Sequence, residues 1–93
     1  MIIKDATPHQ QELADLLNKK FDEYYVEYGP ENFASKVRDF IMTHDEHTQK
    51  QLRAVSAMII QQLADNIGTP EVQQEAQEFL TRILKIHLPW RIL

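Results

Sequence analysis

Apolar residues recur along this chain at helical spacing, in four blocks separated by turn signals. In the first, Leu13, Leu16, Leu17, Phe21, Tyr24 and Tyr28 fall within a stripe of roughly 140° on a helical wheel, with Glu12, Asp15, Lys19, Asp22 and Glu23 opposite. Thr7 and Pro8 open this block as cap and first helical residue, Gln10 can complete a capping box, and Gly29-Pro30 closes it. Asp15 and Lys19 stand in the favourable i,i+4 order. Phe33, Val37, Phe40 and Ile41 line the second block, and His44 would extend that face by one turn. The third block is the cleanest stripe: Leu52, Val55, Ile59, Leu63 and Ile67, with Ile60 at its edge and Gly68 as the stop. Thr69-Pro70 then repeats the opening of the first block, and Val72, Ala76, Phe79, Leu80 and Ile83 follow as an ordinary amphipathic face.

This pattern predicts an all-α chain, a single helical domain over 1–93, with helices near 8–28, 31–43, 46–67 and 70–88 and a tail over 89–93. Helices this amphipathic, with short connections, close into a four-helix bundle or a pair of helical hairpins, and a second copy can complete either. The longest period-2 run, Met1 to Ile3, is too short to argue for a sheet.

The last block departs from the pattern. Beyond Ile83, Leu84, Ile86 and Leu88 widen the apolar arc past half the circumference, and Pro89 ends the helix before Trp90, Ile92 and Leu93. Phe79, Leu80 and Ile83 belong to the bundle core. The surplus marks Leu84, Ile86, Leu88, Trp90, Ile92 and Leu93 as a protein interface, rimmed by Arg82, Lys85 and Arg91. A symmetric dimer would let two such ends cover each other.

Composition narrows the function classes. With 93 residues, 43 % of them apolar, and a formal charge of −4, the chain is an ordinary globular size and mixture. The charge is uneven. Residues 1–47 sum to −5 and residues 48–93 to +1, which argues against nucleic acid as the main partner. A nucleic-acid-associated regulator using the second and third helices is the alternative, with Lys50 and Arg53 facing phosphates. Asp45 and Glu46 at the head of that would-be recognition helix oppose it. There is no cysteine, so neither a disulfide nor a thiolate metal site can form, which fits a cytoplasmic setting. MIIKDAT is far short of a signal sequence, and the apolar C-terminal run is too charged to span a bilayer. No membrane association is expected.

Candidate chemistry is sparse. His44-Asp-Glu-His47 offers two imidazoles at i,i+3, the weak candidates for a metal, but no third ligand stands near them in sequence. His87 sits alone in the apolar stripe of the last helix, and the two glycines leave no phosphate loop. No catalytic constellation and no cofactor are expected. Five of the eight aromatic residues lie between Phe21 and Phe33; Tyr25, at the stripe's edge, with Glu23, Glu27 and Glu31 forms a secondary surface candidate. The expectation is a non-enzymatic, protein-binding chain, an adaptor, inhibitor or assembly subunit, that self-associates through its C-terminal helix and tail.

Overall fold

A computed structural model describes residues 2–84. The chain is all-helical: α1 (Pro8–Tyr28), α2 (Phe33–Met42), α3 (Glu46–Ile67) and α4 (Pro70–Glu78), followed by a π turn over Phe79–Ile83. No strand occurs among the described residues.

Local chemistry accounts for most helix ends. At α1 the capping box is complete, because the Gln10 amide donates to Thr7 Oγ1 at 3.1 Å and the Thr7 amide to Gln10 Oε1 at 2.9 Å. Gly29, at φ 85°, ends α1 with its N–H on the Tyr25 carbonyl. The Asn32 and Phe33 amides then both donate to the Gly29 carbonyl, at 3.2 and 3.0 Å. That closed turn absorbs Pro30 to Asn32, so α2 starts at Phe33 rather than near 31. Asp45 caps α3 by accepting the Thr48 amide at 2.7 Å. Gly68 ends it in the left-handed conformation, φ 78°, donating to the Ala64 carbonyl. Thr69 caps α4 by accepting the Val72 amide, with Pro70 in the first turn.

The core gathers Leu17 from α1, Val37 and Ile41 from α2, Leu52, Val55 and Ile59 from α3, and Leu80 and Leu84 from the π turn and its end. Full burial of each Leu or Ile stabilises the fold by about 1.5–3 kcal/mol relative to exposure. The radius of gyration is 12.7 Å, against roughly 12 Å expected for a compact chain of this length. Phe33 is the aromatic hub. Its ring lies edge-on to Phe21 and Tyr25, at 6.4 and 5.4 Å between centroids, and stacks on Phe79 at 6.0 Å, tying α1, α2 and the π turn together.

Ile3 joins this core, an unforeseen contribution. Its N–H donates to Gln11 Oε1 at 2.9 Å, while the Gln62 carboxamide takes the Lys4 N–H and donates to the Ile2 carbonyl, both at 2.8 Å. Gln62 of α3 therefore clamps the backbone on either side of Ile3 while Gln11 of α1 holds Ile3 itself, and Asp5, at φ 63°, turns the chain into α1.

Leu84 corrects the sequence reading. It was expected at an interface, yet it is 1 % exposed and packed in the core. The cause is the π turn, in which the Leu84 N–H donates five residues back to the Phe79 carbonyl at 3.1 Å. Such a turn underwinds the chain, by roughly 70° over its four-residue advance, and moves Leu84 from the edge of the stripe to its centre below Leu80. A wheel drawn at a uniform 100° per residue through 79–84 does not place it. The other five expected interface residues, Ile86, Leu88, Trp90, Ile92 and Leu93, lie outside the described residues.

Candidate functional site

Two residues expected in the core stripe of α3 are open to solvent: Leu63 is 42 % and Ile67 62 % exposed. They form one wall of a shallow trough between α3 and α4. Ile60 and Ala64 continue that wall, and Val72, Glu75, Ala76 and Phe79 supply the other side. Glu75 is the sole charged group in the lining. The trough measures about 230 Å3, below the roughly 300–1,000 Å3 typical of small-molecule pockets.

The geometry follows from α3 and α4 being held together on one flank only. Ala64 and Ala76 are buried and small, which lets the helices approach closely. On one side of Ala64, Gln61 donates to Gln73 Oε1 at 2.9 Å and to Asp65 Oδ1 at 2.8 Å, and Gln73 donates to the same Asp65 oxygen at 2.8 Å. Successive residues advance by 100°, so Leu63 and Ile67 project from the other side of Ala64. A polar lock closes one flank; the apolar flank stays open. The described chain continues from the Phe79 end of this trough.

His44 and His47, the expected pair, have different surroundings. The His44 Nδ1–H donates to the Phe40 carbonyl at 3.0 Å, with its ring edge-on to Phe40 at 4.9 Å. His47 instead lines a cleft of about 460 Å3 between α1 and α3, together with His9, Lys50 and the apolar floor of Leu13 and Val55. His9 had no sequence signal placing it near His47; the packing of α1 against α3 brings both to one cleft. Among the described residues no three His, Asp or Glu side chains cluster in a way that could hold a metal.

Asp45, between the two histidines, has its carboxyl held below the ordinary value by the hydrogen bond to Thr48, with smaller contributions from His47 and His44. It acts as a helix cap. Arg53, one of the two bases of the nucleic-acid alternative, shares a hydrogen bond with Gln49 at 3.5 Å, and α3 opens on Asp45 and Glu46.

The secondary surface is partly structural. Tyr25 is 51 % exposed, but one face of its ring is used against Phe33. Glu23 pairs with Lys20 at 3.3 Å; Glu27 and Glu31 are exposed. Tyr28, expected to be buried, is at the surface with Lys36 Nζ 4.8 Å from its ring centre. Asp15 accepts from Gln11 at 3.0 Å, where pairing with Lys19 was expected. No helix among the described residues is long and apolar enough to cross a membrane. Comparison with protein-family models, with curated proteins and with solved structures finds no match to this chain.

Proposed function

We propose that this chain is a non-enzymatic protein-binding protein, an adaptor, inhibitor or assembly subunit, whose first partner is a second copy of itself, joined through α4 and the C-terminal tail. The observation that carries the reading is the open trough. Leu63 and Ile67 lie on the most regular apolar stripe of the sequence, and nothing among the described residues covers them. Covering each would contribute about 1–2 kcal/mol, given how much of each side chain is still in water. The apolar tail sequence follows directly from the same end of the fold, so the two surfaces form one continuous apolar region in a dimer that completes the bundle. The lack of cysteine is compatible with the cytoplasm as its setting.

Light scattering on the full-length chain, and on a variant ending at Leu88, tests this. The full-length chain should show twice its 11.0 kDa mass at micromolar concentration, and the shortened chain should be monomeric. A monomer in both cases, with unchanged stability, rules self-association out.

A further inference from the structure

We infer that the trough between α3 and α4 receives the C-terminal segment, residues 86–93, of a second copy of this chain. The inference rests on the self-association proposed above and names the surface that receives the tail.

The chemistry of the two surfaces is complementary. The trough is apolar, with the carboxylate of Glu75 as its one charge. The segment from 85 onward carries Ile86, Leu88, Trp90, Ile92 and Leu93, the cations Lys85 and Arg91, and no acid. Trough packed against trough would oppose Glu75 to its own copy as both lose water, a repulsive arrangement. Tail in trough places a cation beside it instead. Trp and Arg are also among the residue types most enriched at binding hot spots.

The donor follows from the self-association proposed above: a second copy supplies the tail, and the same chain's tail in its own trough is a distinguishable outcome of the experiment. Phe79 and Ile60 lie at one end of the trough; Val72 and Ile67 lie at the other, beside the Gly68 connection.

Complementation tests the assignment. Ile67→Lys spoils the trough at a position already facing water, and Trp90→Lys spoils the tail. Sedimentation equilibrium should show the full-length wild type as a dimer and each variant alone weakened about 30-fold or more, the loss of one strong anchor at each contact. An equimolar mixture should recover a heterodimer, because it alone retains one intact tail and trough. Leu63→Lys paired with Leu93→Lys repeats the test should circular dichroism show either first variant unfolded. Variants that dimerise like the wild type overturn the tail–trough contact while leaving self-association standing. Variants weakened singly but not restored by mixing overturn it in favour of a like-with-like interface. A wild type monomeric throughout overturns both; if its Trp90 is shielded from acrylamide and Ile67→Lys removes that shielding, the tail occupies its own trough.

Discussion

Ser56 offers a test of the core in which the expected change is a gain. It lies in the middle of α3, between Val55 and the Ile59 turn, and is 0 % exposed. Its Oγ is buried with no hydrogen-bond partner. A hydroxyl stranded in this way costs about 1–3 kcal/mol relative to one that is satisfied or absent. Ser56→Ala removes that cost and adds roughly 0.5 kcal/mol of helix propensity. Against this stand the few dispersion contacts of one oxygen atom, each about 0.1–0.2 kcal/mol. The balance is a stabilisation of about 1–2 kcal/mol, or a melting temperature higher by roughly 5–10 °C for a chain of this size. Urea unfolding followed by circular dichroism at one fixed protein concentration reads it as a higher midpoint at unchanged slope; the concentration must be fixed because association shifts apparent stability. Ser56→Val serves as the control, since it adds volume at a sealed site and should destabilise by about 1–3 kcal/mol. A Ser56→Ala variant less stable than the wild type would refute the reasoning, because it would mean that the hydroxyl has a partner whose loss matters.

Three further expectations follow from particular contacts. Gln62→Ala should release the N-terminal segment, speeding hydrogen exchange at the Lys4 amide and lowering stability by about 1–2 kcal/mol, two solvent-accessible hydrogen bonds having been lost. Unchanged exchange at Lys4 would contradict the tether. Gly68→Ala should cost about 1 kcal/mol or more by thermal melting. An added Cβ meets only the Asp65 carbonyl at an ordinary 3.6 Å, so the cost arises from φ 78° rather than from a clash, and Gly68→Asn should recover part of it. Asp45→Asn keeps a capping oxygen but removes the charge. Because the folded carboxyl titrates below its ordinary 3.8, its contribution is present above that value and is lost as pH falls through the lower, folded one. The wild type's advantage over Asp45→Asn should therefore hold at neutral pH and fade below about pH 4. A difference independent of pH would refute the cause assigned to the shift.

How far the sequence could be read depended on how local each determinant is. The Thr7–Gln10 capping box, the Thr69 cap and the Gly68 stop each lie within a few residues of the helix end they set, and pattern alone locates them; for α3 the pattern leaves Thr43 and Asp45 both open, and the structure selects Asp45. The π turn has no such signature. Underwinding at residues 79–83 accompanies the burial of both Leu80 and Leu84, and a wheel drawn at 100° per residue put Leu84 at an interface. Ile3 was missed because its anchors, Gln11 and Gln62, are separated from the segment by up to 60 residues, and a lone exposed-looking Gln on α3 gives no warning. The stripe of α3 was read correctly as apolar through Ile67, but periodicity cannot say whether a stripe meets its own chain. Among the described residues nothing covers Leu63 and Ile67, and this incomplete cover is where the candidate site arises.

On the assignment proposed above, the tail of one copy lies in the trough of another. A sample mixed from isotopically labelled and unlabelled full-length chains, with nuclear Overhauser contacts filtered to pass only between the two kinds, tests it most directly. The indole protons of Trp90, the chain's one tryptophan, should show contacts to the methyl groups of Ile67 and Leu63 across chains. Those contacts appearing only within a single chain, or not at all, would contradict it.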